Sequence, residues 1–212
     1  MNTIKLYHGS KSGIKGSIKP SSRPQCDFGV GFYMCTNPLQ VKSLVFEKED
    51  PYFYELQIDM EEIPSERILT LSGMEWAWVV LFNRGELDII KNSSLYQTVS
   101  KQIEDKDIII GPIADDNMRR VIQQFIDGDI TDRAMLECIR CIDYGTQYAV
   151  RTVEACSKIS ILSSRPITLN DFKDLQEYRN SKRQESNIKV DMLKKNFRNT
   201  GKYFDELIDE MK

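Results

Sequence analysis

Residues 3–10 read TIKLYHGS, and apolar and polar side chains alternate along them. That period of two is typical of a β-strand with one face turned to a core. One face of the predicted strand carries Ile4, Leu6 and His8. His8 is the only histidine in the 212 residues. The pattern therefore places the single imidazole of the chain at the end of its first strand, on the aliphatic side.

The rest of the sequence predicts a series of loops, strands and helices. A long loop rich in glycine, serine and proline is expected from Gly9 to Gly31, and loops of such length are usually functional or mobile. Further predicted strands are YFYELQID (52–59), DIIIGPIA (107–114), TQYAVRT (146–152) and KISILSS (158–164). Predicted helices are NPLQVKSLVF (37–46), SGMEWAWVVLF (72–82), DDNMRRVIQQFIDG (115–128) and a helix from about Thr131 to Ile142.

The helix starts carry recognisable signals. Asn37 is expected to cap the first helix, with Gln40 completing a capping box, and Ser72 with Glu75 predicts a second box. Beyond Pro166 the pattern is helical throughout. We therefore predict an α+β domain over residues 1–165 and a helical C-terminal appendage over residues 166–212.

Composition narrows the class of protein. With 41% hydrophobic and 29% charged residues the chain is expected to be globular, and a net charge of −3 gives no general case for nucleic-acid binding. Five cysteines at irregular spacing show no disulfide framework, which favours a reducing cytoplasm. The N-terminus lacks the apolar run of a signal peptide, and no stretch reaches the roughly 18 apolar residues of a membrane span. Neither secretion nor membrane insertion is expected.

Taken one by one, the candidate functional residues have equally good structural explanations. Asp27 precedes a glycine turn that its side chain would stabilise, and Asp115 stands at the start of a helix. Cys138 and Cys141 have C-x-x-C spacing, but they lie within an amphipathic helix and have no partner pair. No metal site is expected from them.

Five segments taken in order are more informative than any residue alone. LYHGS, DFGVGFYMCT, DIIIGPIADD, VIQQFIDG and the QY of TQYAVRT resemble the bacterial family catalogued as domain of unknown function 3990, within the ADP-ribosyltransferase superfamily. The resemblance extends over residues from about 4 to 163. It implies an ADP-ribosyltransferase-like split antiparallel β-sheet core with surrounding helices, and NAD⁺ as a substrate bound in a cleft between two small antiparallel sheets.

The same resemblance implies roles for particular residues. His8 would bind ribose hydroxyls, the backbone of Gly9 would approach the nicotinamide carboxamide, and Tyr33 would stack on the nicotinamide ring. Gln147 stands where the superfamily most often has glutamate, and it would hold the ribose 2′-hydroxyl without serving as a base. The expected NAD⁺-binding residues are His8, Gly9, Asp27, Gly31, Phe32 and Tyr33, and the expected catalytic residues are His8, Tyr33, Gln147 and Asp115.

The function implied is an NAD-dependent ADP-ribosyltransferase that modifies an unidentified protein or nucleic acid. Such a protein is expected to act in the cytoplasm as a toxin or effector, with an antitoxin or regulatory protein as partner. Three alternatives stay open: a non-catalytic module that binds a partner, an NAD hydrolase, and a related fold that carries out phosphotransfer on RNA. Glutamine at 147 favours these alternatives. From the sequence alone, Gln147→Glu is expected to raise activity, because it would add a charge beside the oxocarbenium-like centre.

Overall fold

The computed structural model describes residues 3–113, 116–141 and 143–210, except the side chains of residues 89, 116 and 117. Its centre is a seven-stranded, mostly antiparallel sheet with strand order β4-β5-β6-β2-β1-β3-β7. The strands are β1 (Thr3–Ser10), β2 (Phe32–Cys35), β3 (Tyr52–Asp59), β4 (Ile68–Thr70), β5 (Ile108–Pro112), β6 (Thr146–Val150) and β7 (Ile159–Pro166). Within this sheet β4 and β5 are parallel, and the other neighbouring strands are antiparallel. The mixed helix-and-sheet class predicted from the sequence is confirmed.

The helices cover the sheet. They are α1 (Pro38–Ser43), α2 (Gly73–Arg84), α3 (Ser94–Glu104), α4 (Asp116–Ile126), α5 (Asp132–Arg140), α6 (Val153–Cys156), α7 (Leu169–Asn196) and α8 (Phe204–Glu210). The predicted helices at α1, α2, α4 and α5 are confirmed, as is the helical pattern after Pro166. The strands β2 and β4 and the helices α3 and α6 were not predicted.

Of the predicted helix-capping interactions, the Asn37 cap is confirmed, whereas the two capping boxes are wrong. Asn37 does cap α1, because its Oδ1 accepts hydrogen bonds from the backbone N–H groups of Leu39 and Gln40. Gln40 completes no capping box; its buried side chain instead accepts from the Tyr178 hydroxyl at 3.5 Å. The Ser72 box is also wrong. Its side chain makes no cap bond, and the next residue, Gly73, has a φ of +57°, outside the helical region.

The sheet opens between β1 and β2. These strands share the single register pair Tyr7 with Cys35, whereas β1 pairs with β3 along its whole length from Thr3 to Ser10. Continuing the β1–β2 register would bring Gly9 opposite Tyr33, but the ladder does not continue to that pair. The strands therefore diverge immediately after His8, at the end of β1 from which the long loop departs.

Two hydrophobic clusters lie on the two faces of the sheet. The smaller contains Leu6, Phe32, Leu56 and Ile58, and the isoleucines of the long loop pack against it. The larger lies under α2, α4 and α5, and it also contains Leu175, Val190, Phe204 and Ile208 from α7 and α8. The C-terminal helices thus contribute side chains to the main core. In the described part of the chain, every helix is too short or too polar to cross a membrane.

Candidate functional site

A cleft of about 650 Å³ lies where β1 and β2 diverge. This volume falls within the ~300–1,000 Å³ typical of small-molecule sites. The walls come from the ends of β1, β2 and β6, the long loop, α1, and the C-terminal end of α2. Predicted residues that line the cleft are His8, Gly9, Asp27, Tyr33 and Gln147.

His8 spans the opening between the diverging strands. Its Nδ1 lies 2.7 Å from the backbone oxygen of Tyr33, and its ring stacks on Phe32 with centroids 4.4 Å apart. A carbonyl oxygen can only accept, so Nδ1 carries the proton and Nε2 is left as an acceptor in the neutral ring. Burial lowers the pKa of His8 below its ordinary value of 6.5 and so favours that neutral form. His8 therefore offers the cleft a hydrogen-bond acceptor.

Tyr33 joins the cleft wall to the long loop. Its hydroxyl donates to the backbone oxygen of Gly29 at 2.8 Å and accepts from the N–H of Phe28 at 2.9 Å. Burial raises the pKa of this hydroxyl well above its ordinary value, so the group stays protonated. Both bonds fix the position of the ring relative to the long loop. Tyr33 thus presents an aromatic wall whose polar end is already occupied.

Gln147, on β6, connects to Asp27 in the long loop. The Gln147 Nε2 donates to Asp27 Oδ2 at 2.9 Å and to the backbone oxygen of Pro112 at 3.0 Å. The other carboxylate oxygen, Oδ1, accepts from Arg84, whose Nε lies 3.1 Å away and whose Nη2 forms the ion pair. Asp27 and Arg84 are largely buried, with side-chain exposures of 14% and 12%. Both oxygens of Asp27 are therefore engaged, which does not favour Asp27 as a general base.

The remaining predicted residues do not all reach the cleft. Phe32 does not line the cleft; it is buried in the smaller hydrophobic cluster, and the His8 ring stacks on it. Gly31 closes the long loop, because its oxygen accepts from the N–H groups of Ser21 and Ser22. Gly9 does line the cleft. Asp115 lies outside the described residues.

Among the described residues, four cationic side chains line the cleft: Lys11, Arg23, Arg84 and Arg119. None of them was predicted from the sequence as a site residue. Arg84 pairs with Asp27, whereas Lys11, Arg23 and Arg119 are exposed. One signal was available for Arg84, which directly precedes Gly85, the left-handed residue that ends α2. The cleft is thus suited to an anionic ligand such as a diphosphate. The described residues contain no group of three or more histidine, cysteine or acidic side chains placed to hold a metal ion.

Fold and cleft together define a mixed α/β protein with a pocket at the opening of its sheet that is lined by several cationic side chains. Residues 4–161 match the model of the family described as protein of unknown function (DUF3990), and the chain belongs to that family. Neither a curated protein nor a solved structure matches the chain. The match ends before α7 and α8, so the family model does not extend to the C-terminal helices.

Proposed function

We propose that this protein has an ADP-ribosyltransferase-like fold, that it binds NAD⁺ in the cleft, and that it transfers ADP-ribose to a macromolecule. The observation that carries the proposal is the convergence of His8, Tyr33 and Gln147 on one cleft at the point where the sheet opens. The resemblance of LYHGS and DFGVGFYMCT to the superfamily implied this arrangement independently.

Each residue has a chemical task in this proposal. The His8 Nε2 accepts a hydrogen bond from a ribose hydroxyl, and the Tyr33 ring stacks on the nicotinamide. Lys11, Arg23 and Arg119 face the pyrophosphate. The glycosidic carbon–nitrogen bond breaks, and its electron pair leaves with nicotinamide. An acceptor nucleophile then forms the new bond to the ribose carbon of the oxocarbenium-like species and releases its proton to solvent.

A second candidate is NAD⁺ hydrolysis, and one observation favours it. Gln147 is neutral, and both oxygens of Asp27 are engaged by Arg84 and Gln147. Among the described residues of the cleft, no free carboxylate is therefore present to activate a macromolecular nucleophile. Water is abundant and can act as acceptor without such positioning.

A cytoplasmic toxin or effector restrained by a partner protein remains part of the proposal through the resemblance.

Binding is tested by thermal unfolding with NAD⁺. At a concentration of about 100 times Kd, a ligand selective for the folded state adds about 2.7 kcal/mol. For a chain of this length that corresponds to a rise in Tm of about 5–10 °C. His8→Ala and Tyr33→Ala should each reduce the rise, whereas Tyr203→Ala, at an exposed tyrosine, should not.

Transfer is tested by incubating the protein with isotope-labelled NAD⁺ and a cell lysate, followed by mass spectrometry. Labelled ADP-ribose on a macromolecule supports transfer. Release of labelled ADP-ribose without an adduct supports hydrolysis instead. A protein that neither gains stability from NAD⁺ nor consumes it would contradict the proposal.

A further inference from the structure

The orientation of the Gln147 amide is determined by its neighbours. Its Nε2 faces two groups that can only accept, the Asp27 carboxylate and the Pro112 carbonyl. An amide turned the other way would set Oε1 against those oxygens, so the nitrogen must occupy this position. Oε1 has no hydrogen-bond donor among the described residues, and Gln147 lines the cleft. Its amide oxygen is therefore the atom left for a ligand.

Asp27 is held firmly in the place from which it orients that amide. Arg84 binds its Oδ1, and Asn83 Nδ2 donates to its backbone oxygen at 3.2 Å. Asn83 and Arg84 are the last two residues of α2, so the end of this helix clamps the loop at Asp27. The guanidinium also offsets the charge of the carboxylate. Asp27 can then keep its charge while largely buried.

From these contacts we propose that Asp27 and Arg84 are positioning residues that act through Gln147. The inference rests on the proposed function and deepens it. The carboxylate fixes the amide so that Oε1 faces the cleft, and its charge polarises the amide and strengthens Oε1 as an acceptor. Together with His8 Nε2, the site then presents two acceptors. It selects a ligand group that donates, namely a ribose hydroxyl, and it discriminates against a ligand without that hydroxyl.

Asp27→Asn separates this role from simple structural support. Asparagine has one acceptor oxygen, which Arg84 will take, so its amide N–H₂ group faces Gln147. Gln147 is then no longer held in one orientation, because the amide at position 27 favours Oε1 there while the Pro112 carbonyl still favours Nε2. In the double variant Asp27→Asn/Gln147→Glu, the amide introduced at position 27 donates to one oxygen of the carboxylate introduced at position 147. The other oxygen of that carboxylate faces the cleft, and the acceptor is restored.

The kinetic test compares NAD⁺ with its analogue lacking the 2′-hydroxyl of the nicotinamide ribose. We expect the wild type to prefer NAD⁺ by about tenfold in kcat/KM, the value of one neutral hydrogen bond. Asp27→Asn should remove that preference, and the double variant should restore it. Asp174→Asn, the same change at an exposed residue, should leave it unaltered. An unchanged preference in Asp27→Asn would overturn the proposal.

A second measurement needs no NAD⁺ and keeps this inference distinct from the proposed function. In urea unfolding of the wild type, Asp27→Asn, Gln147→Ala and the corresponding double variant, we expect coupling of about tenfold in the unfolding constant. Independent effects would overturn the positioning role even if NAD⁺ binds. If coupling is present but NAD⁺ is not bound, the proposed function fails while the orientation of Gln147 stands.

Discussion

His8 is the one side chain of this protein whose ordinary pKa lies near 6.5, and burial moves its pKa lower. The hydrogen bond to the Tyr33 carbonyl raises the pKa and offsets part of the effect of burial. The folded chain therefore binds this proton less tightly than the unfolded chain does. Stability from His8 is complete above the unfolded pKa and declines as the pH falls from about 6.5 toward the folded pKa.

Because the pKa of His8 is lowered on folding, the free energy of unfolding is expected to depend on pH. Between pH 7.5 and 5.5 the free energy of unfolding should fall, with a slope of at most about 1.4 kcal/mol per pH unit for one proton. His8→Gln keeps a donor for the Tyr33 carbonyl but removes the titration, so its profile should be flatter. Urea unfolding at each pH measures both. Equal slopes in the two proteins would show that acidic groups, and not His8, account for the decline.

At the same scale, the structure revises the expectation for Gln147→Glu. A glutamate oxygen in the place of Nε2 would lie about as close to Asp27 Oδ2 as the present 2.9 Å and would repel it. Gain of activity is therefore expected only when Asp27→Asn accompanies the change. The sequence indicated a missing charge at 147, but the nearby Asp27 carboxylate is 120 residues away along the chain and invisible to local pattern.

Among the elements, those with strong local signals were the predictable ones. The alternation of apolar and polar residues predicted the strands β1 and β3, and glycines indicated where the helices α2 and α4 end. α3 had a readable signal that was overlooked, since Leu95, Val99 and Ile103 recur at helical spacing after the Ser93 cap. The opening between β1 and β2 was not predictable from spacing, because it depends on where two distant strands stop pairing. The family resemblance indicated a cleft between two small sheets, but not which strands border it.

The glycine at position 9 can be explained by the packing of α1 against β1, without any role in ligand binding. A Cβ at this position would lie 2.4 Å from the backbone oxygen of Val41, in α1, and 2.9 Å from Cγ2 of Val45, just after the end of α1. Glycine is thus needed for α1 to pack against β1, whatever the cleft binds.

Gly9→Ala should accordingly destabilise the unliganded protein by about 1–3 kcal/mol, the usual cost of overpacking. Ser10→Ala, a change of similar size at the next residue, should have a smaller effect. Urea unfolding without NAD⁺ measures both variants. If Gly9→Ala left stability unchanged and weakened only NAD⁺ binding, the ligand explanation would be the correct one.

At the scale of the whole molecule, one core extends from the sheet into the C-terminal helices. Phe204 of α8 packs edge-on against Phe125 of α4, with centroids 5.6 Å apart, and also contacts Trp78 of α2. Leu175 and Val190 of α7 are buried in the same cluster. The sequence marked Pro166 as a boundary because the pattern changes there. A change of pattern indicates where strands end, but it says nothing about whether the next elements share the core.

Removing α7 and α8 should therefore destabilise the sheet and not merely shorten the chain. A truncation after Thr168 keeps β7 whole but removes, among the described residues, four buried apolar side chains, Leu175, Val190, Phe204 and Ile208. At about 1.5–3 kcal/mol each, their burial is comparable to the entire net stability of a typical domain. We expect an insoluble product or a loss of cooperative unfolding.

Point variants make the same test without a large deletion. Phe204→Ala should cost about 3–5 kcal/mol because its site lies between two aromatic rings, whereas the exposed Tyr203→Ala should cost little. Thermal unfolding compares all three proteins with the wild type. If the truncated chain is soluble with an unchanged Tm, and Phe204→Ala is neutral, the C-terminal helices form a separate appendage after all. Their buried faces would then be available to a partner.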